Sequence, residues 1–285
     1  MSEILQEAVH ERIETKVAGK PHPYHMVNPS AWPAMGSLAA LITALGAVHF
    51  FHGGTAIFMI LGLILVLATM FVWWRDVLHE AQTEHAHSGI VRQGLRYAVG
   101  MFIASEVMFF VAFFWAFFNS GLLVNPTLTQ WPPASIHPME VWGIPFLNTC
   151  ILLASGLAVN WAHHSLRAGN RDGLTQGLGI AVLLGICFLA LQGYEYGHAA
   201  FGFRQGVYPT IFFMATGFHG FHVFVGACFL TVNFFRSLRG DFTPKEHVGF
   251  EAAAWYWHFV DVVWIFLFVW IYWWGSTANL PAAAG

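Results

Sequence analysis

Phe250 to Gly275 reads FEAAAWYWHFVDVVWIFLFVWIYWWG, 26 residues in which Glu251, His258 and Asp261 are the only ionisable side chains besides tyrosine. An α-helix rises about 1.5 Å per residue, so about 20 mostly apolar residues cross a hydrocarbon core of roughly 30 Å. This run is long enough to do so with residues to spare, which it can absorb by tilting or by projecting from the bilayer. Its tryptophans, Trp255, Trp257, Trp264, Trp270, Trp273 and Trp274, lie at both ends and in the middle. Interfacial belts account for the end rings, and packing against other helices or lipid accounts for the central ones.

Six further runs upstream satisfy the same criterion: Ser30 to Phe51, Thr55 to Trp74, Gly94 to Leu122, Val141 to Ser165, Gly173 to Phe201 and Tyr208 to Phe235. Turn-forming stretches divide them, among them His52-Gly53-Gly54, the proline-rich Asn125 to Pro138, Ala168-Gly169-Asn170 and Gly240 to Lys245. The whole chain is 57% hydrophobic, 17% aromatic and 9% charged, which excludes an ordinary soluble domain. The fold class is therefore all-α, a polytopic membrane protein of seven transmembrane helices. A polar arm over residues 1–20 precedes the transmembrane domain, 21–275, and a short tail, 276–285, follows it.

Net charge, -3, carries little weight in such a chain, because the placement of Lys and Arg sets orientation. Arg12, Lys16, Lys20, Arg75, Arg92, Arg96, Arg167, Arg171, Arg236, Arg239 and Lys245 fall on one side of a seven-span topology, and Arg204 alone falls opposite. The expectation is an N-terminus inside and a C-terminus outside; six or eight spans would spoil the alternation. The first twenty residues hold no apolar core of a signal peptide, so none is expected to be cleaved. Cys150, Cys187 and Cys228 each sit within a separate apolar run and read as small hydrophobes. Glycines at Gly156, Gly177, Gly179, Gly185, Gly217, Gly220 and Gly226 suggest close helix packing.

Several residues could carry chemistry. Glu106 lies eleven residues beyond Leu95, near the middle of its span. A carboxylate there costs several kcal/mol, so the group is expected to be neutral, paired within the bundle or connected to water. A functional role is the default for such a group; the plainer reading is a packing hydrogen bond to a neighbouring helix. His219 and His222 share a helix face at i, i+3 and could form half of a metal or haem site, yet no HExxH, facial triad or cysteine cluster completes one. They read as intramembrane polar groups, with no metal. His258 and Asp261 read as a hydrogen-bonding group, and His163, His164 and Glu195 are lesser candidates. Around Trp73-Trp74-Arg75-Asp76, and on to Glu80, His85, His87, Arg92 and Arg96, rings and cations meet at headgroup level, which suits a phospholipid phosphate or simply an anchor.

The chain closely resembles the cytochrome c oxidase subunit III family from the arm to the last helix. The resemblance rests on His22-Pro23-Tyr24-His25-Met26-Val27-Asn28-Pro29-Ser30, Trp73-Trp74-Arg75-Asp76-Val77, Gly94-Leu95-Arg96-Tyr97, Ser105-Glu106-Val107-Met108-Phe109-Phe110 and Phe114-Trp115-Ala116-Phe117. It continues in Trp131-Pro132-Pro133, Trp161-Ala162-His163-His164-Ser165-Leu166, Ala215-Thr216-Gly217-Phe218-His219-Gly220 and Gly249 to Trp264. It implies two helices set apart from five by a V-shaped, lipid-filled cleft. It implies a non-redox core subunit of an aa3-type oxidase, with haem a and copper held by partner subunits I and II and none by this chain. Cytochrome c would be the electron donor and a cytochrome bc1 supercomplex a further partner, with no nucleic acid involved. The family roles are rapid proton uptake into subunit I, protection of that subunit from inactivation during turnover, and a dioxygen route through bound lipid. Glu106 matches the family's carbodiimide-reactive carboxylate, and Trp74, Glu80, His87 and Arg96 match its lipid-headgroup positions. Asn119 stands where the family has histidine, and Ser88 where it has threonine. The long polar arm favours a bacterial inner membrane over the mitochondrial one.

Two other classes fit the residues alone. A proton-coupled transporter would use Glu106, Glu195, Asp261 and the two histidines of the sixth span as a relay, and would show inverted repeats or broken helices. Neither is visible in the sequence. A haem-binding cytochrome would use His219 and His222 and give this chain a Soret band of its own.

Overall fold

A computed structural model describes residues 29–83, 86–122, 130–277 and 280–281. The N-terminal arm, the motif residues His22 to Asn28, and His85 lie outside them. Seven helices are long and apolar enough to cross a membrane: α1 (Trp32–Phe51), α2 (Ile57–Gln82), α3 (Gly89–Leu122), α4 (Ile144–Arg167), α5 (Arg171–Gly197), α6 (Val207–Arg239) and α7, which begins as Val248–Phe266 and continues through Trp274. The chain is a multi-pass membrane protein.

The helices run on past the apolar runs. α2 continues eight residues beyond Trp74 through Arg75, Asp76 and Glu80, because nothing in that stretch breaks a helix and charged groups there can reach water. Local chemistry sets other ends. Ser88 Oγ accepts the backbone N–H of Val91 at 3.3 Å at the start of α3, as an N-capping hydroxyl does. Asn170 accepts the N–H of Gly173 at 3.0 Å at the start of α5. Gly240, in the left-handed conformation at φ 79°, closes α6.

The last span holds a feature that periodicity did not suggest. From Leu267 to Trp274 the helix is wound as a π-helix, with hydrogen bonds reaching five residues back. A two-residue antiparallel bridge, β1 (Gln130–Trp131) with β2 (Leu280–Pro281), closes the end of the chain against the loop after α3. Trp131 is buried there against Phe117 and Tyr208, ring centroids 5.5 and 5.3 Å away.

The fold comprises two compact units, one up to Leu95 and one from Arg96 onward. In the first, α1 and α2 form a pair whose backbones nearly touch. A Cβ on Gly46 would collide with the backbone of Met59, and one on Gly62 would lie 2.5 Å from the backbone N of Thr43. With apolar lipid around both helices, such close approach rather than hydrophobic burial drives association. The Trp32 indole N–H donates to Asp76 Oδ2 at 2.7 Å and joins the start of α1 to the far end of α2. Leu41, Leu45, Ile64 and Phe71 point outward, as suits a lipid-facing pair.

In the second unit, close backbone approaches link α4 to α5, α5 to α6, α6 to α7 and α4 to α7. Trp257 of α7 lies at the centre, fully buried. Its ring occupies the space that a side chain at Gly185 of α5 or Gly226 of α6 would need, with atoms 2.7 and 2.8 Å from the Cβ positions. Its indole N–H donates to Ser155 Oγ of α4 at 2.8 Å. One side chain thus engages three neighbouring helices. Seven residues on, Trp264 donates to Thr149 Oγ1 at 2.9 Å and repeats the link to α4. α3 is held differently, by polar side chains and by ring-on-ring contacts such as Phe109 with Phe218 at 5.0 Å and Phe118 with Trp270 at 5.2 Å.

Candidate functional site: a carboxyl and imidazole pair between two helices

α3 brings Glu106, and α6 brings His222, to 3.0 Å between Oε2 and Nε2. The other ring nitrogen, Nδ1, lies 2.6 Å from the carbonyl oxygen of Phe218 one turn back. A carbonyl only accepts, so Nδ1 carries a hydrogen and donates it. In a neutral ring Nε2 then holds a lone pair, and two acceptors cannot face one another at 3.0 Å. One proton therefore lies in the gap, on either the carboxyl or the imidazole, and the pair as a whole is neutral. This arrangement makes an acid tolerable at that depth. Phe110, 5.0 Å from the imidazole by ring centroids, and Tyr256, stacked at 6.4 Å, enclose it. Glu106 is the more open partner, with 24% of its side chain exposed against 8% for His222.

His219 does not join this pair. Positions three apart on a helix point about 60° apart, and that is enough to send the two imidazoles into different surroundings. His219 is 1% exposed and stacks on Trp264 at 5.1 Å with Phe188 edge-on, and neither of its ring nitrogens has a hydrogen-bond partner among the described residues.

The expected link between His258 and Asp261 is present, Nδ1 to Oδ2 at 3.1 Å. Sequence reading missed its third member: Asn160 of α4 meets Nε2 at 3.0 Å. The Asn160 atom at Nε2 is the amide oxygen Oδ1, which only accepts, so Nε2 carries a hydrogen and donates it to Asn160. Gly156 makes room for Asp261, since a Cβ there would strike the carboxylate. Glu195 forms a third group. The buried Tyr272 hydroxyl donates to Glu195 Oε1 at 2.8 Å and accepts from Gln192 Nε2 at 3.3 Å. No direct hydrogen bond connects these three groups among the described residues.

The lipid candidates fall in both units. In the first, Trp74 is 62% exposed on α2, Glu80 lies in the last turn of that helix, and His87 lies just before α3, where its carbonyl accepts from Arg92 Nη1 at 3.1 Å. In the second, Arg96 donates from Nε to Glu251 Oε2 at 2.7 Å, a carboxylate partner from α7 that sequence reading did not assign. A separation of 155 residues left no local signal for it.

Comparison with known proteins adds an independent line. The family model for cytochrome c oxidase subunit III matches residues 22–276. Among curated proteins, the chain is 54% identical over 256 residues to cytochrome c oxidase subunit 3 of Dugong dugon, covering 90% of this chain and 98% of that one. It is 53% identical to the proteins of the same name from Equus asinus and Lemur catta, again over 90% of this chain and over 98% and 93% of theirs.

Proposed function

Since this chain belongs to the cytochrome c oxidase subunit III family, and so is a non-catalytic subunit of that oxidoreductase complex, we propose that its Glu106 and His222 pair is the group through which it sustains the complex during turnover. The observation that carries the reading is the 3.0 Å approach of Glu106 Oε2 to His222 Nε2 between two spanning helices, a distance that calls for one proton in the gap. A neutral pair with one mobile proton can change which partner carries charge without adding net charge to the membrane interior. Such a group suits the support of proton uptake by subunit I and its protection from inactivation. A lipid-borne dioxygen route past the aromatic rings of α3 belongs to the same proposal.

The wider assignments follow the family. Subunits I and II are the proposed partners and hold haem a and copper, cytochrome c is the donor, and a supercomplex with cytochrome bc1 is compatible. Phospholipid is the proposed ligand of the Trp74, Glu80 and His87 region and of Arg96. The exposed indole of Trp74 supports the first; the charge of Arg96, shared with Glu251, supports the second. The N-terminus is proposed inside. A respiratory inner membrane is the proposed location. The mammalian relatives favour its mitochondrial form, while the bacterial expectation rested on the polar arm alone and draws no support from the comparisons.

Glu106→Gln tests the reading. The amide still donates to Nε2, so assembly and haem content should be those of the parent, but the shared proton is lost. The bond is kept and only the transferable proton goes, so inactivation during sustained turnover should accelerate by about fivefold, a change in barrier of about 1 kcal/mol. An unchanged turnover lifetime in a fully assembled complex would remove the pair from any functional role.

A further inference from the structure

Where α4 ends and α7 begins, His163, His247 and Glu251 bring one ligand atom each to within 4.8 Å of the others. We propose that these three side chains form a zinc-binding site.

The local hydrogen bonds point to a cation. His247 Nδ1 lies 3.0 Å from the carbonyl oxygen of Thr243 and so carries a donated hydrogen. Its Nε2 then presents a lone pair, and what it faces is Glu251 Oε1, at 3.3 Å. Two acceptors directed at each other need a proton or a metal ion between them, and the third ligand atom, from His163 within 4.8 Å of both, is what favours the metal. A backbone carbonyl holding the remote nitrogen of an imidazole is the usual outer-shell device that orients a histidine toward a metal. Arg96 holds the other carboxylate oxygen, Oε2, at 2.7 Å and leaves Oε1 turned toward the imidazole.

His163 supplies the third ligand from a different helix. Its ring stands edge-on to that of His247, centroids 5.8 Å apart, and edge-on to Phe250 at 5.6 Å. It makes no hydrogen bond or ion pair among the described residues, so ligation would break nothing. Two imidazoles and one carboxylate are a familiar set for zinc with a fourth position left to water. His247 and Glu251 are 8% and 16% exposed at the side chain, buried enough to hold an ion and open enough to admit one. The guanidinium of Arg96 opposes the added charge, so the affinity should be micromolar rather than that of a structural zinc. An ion there would clip the end of α4 to the start of α7.

The test is equilibrium dialysis of the purified oxidase complex against zinc ion alone in metal-free buffer, comparing parent with His163→Phe and Glu251→Gln. His163→Phe keeps a ring against His247 and Phe250 and removes only the ligand, so haem content and turnover in zinc-free buffer should stay at the parent level. The parent should bind one zinc per complex more than either variant, with affinity at this site lowered by about 100-fold, and its X-ray absorption should show imidazole in the first shell. Equal zinc uptake by parent and His163→Phe, or no micromolar uptake by the parent, would overturn the site. Neither result bears on Glu106, which lies elsewhere in the bundle.

Discussion

Trp257→Ala is expected to lower the stability of the bundle by about 4 kcal/mol, the range found when a fully buried large aromatic side chain is truncated. The reason lies in the glycines. Gly185 and Gly226 are shaped to the ring, so its loss leaves a void that no neighbouring side chain can fill, because those two positions have none. Ser155 Oγ also loses the indole donor, although it still donates to the Leu152 carbonyl at 2.7 Å. Dispersion contacts carry most of the loss, since lipid supplies no hydrophobic penalty for helix separation. Thermal unfolding of the detergent-solubilised chain, followed by loss of a monodisperse elution peak, should read the effect directly. Trp257→Phe should recover about half, because a smaller ring remains but the Ser155 bond does not. A variant with alanine at 257 as stable as the parent would show that the glycine cradle packs nothing of consequence.

Tyr272→Phe should cost about 3 kcal/mol although it removes one oxygen atom. That hydroxyl stands between two buried polar groups, accepting from Gln192 and donating to Glu195, which is 2% exposed. Without it Oε1 loses its hydrogen-bond partner and joins Oε2, which has none among the described residues. The same measurement can separate this cause from packing. Adding Glu195→Met to Tyr272→Phe replaces both partners by apolar groups and should return most of the loss, because an unmade buried bond costs more than an absent pair. If the double variant is no better than the single, the hydroxyl is not satisfying Glu195 and the polar group is incidental.

Much of the architecture was legible because lipid permits few answers. A run such as Phe250 to Gly275 has one economical conformation in a bilayer, so seven runs meant seven helices. The place of Glu106 midway along a long apolar helix followed from counting residues along its span. Its partner did not, for His222 lies 116 residues away and helix contacts of that range leave no periodic trace. His219 and His222 illustrate the limit well. Their spacing correctly put them on one helical face, yet the surroundings that distinguish them come from α3 and α7. The link of His258 to Asp261 was local enough to read, while Asn160, on another helix, was not. The π-helical turn was also hidden. It turns Phe268, Ile271 and Tyr272 into the core, an arrangement that no composition of Leu267 to Trp274 announces. Arg96 read as a headgroup ligand because its visible neighbours were aromatic and cationic, and only folding brought Glu251 to it.

The contrast between how α3 and the other helices of the second unit are held has a mechanical meaning. Glycine-lined seams, such as Gly177 of α5 against the Ala158 carbonyl of α4, are hard contacts that leave no play. Stacked and edge-on rings can slide and tilt over a shallow energy surface without losing attraction. The second unit thus combines a stiff frame with one compliant strut, and it is the strut that carries Glu106 while the frame carries His222. Small excursions of α3 would stretch or shorten the 3.0 Å gap between them, and with it the ease of passing a proton across. Membrane tension, lipid thickness or a neighbouring protein pressing on that helix would be felt at this hydrogen bond, while the ion pair of Arg96 with Glu251 holds the other end of the strut in place.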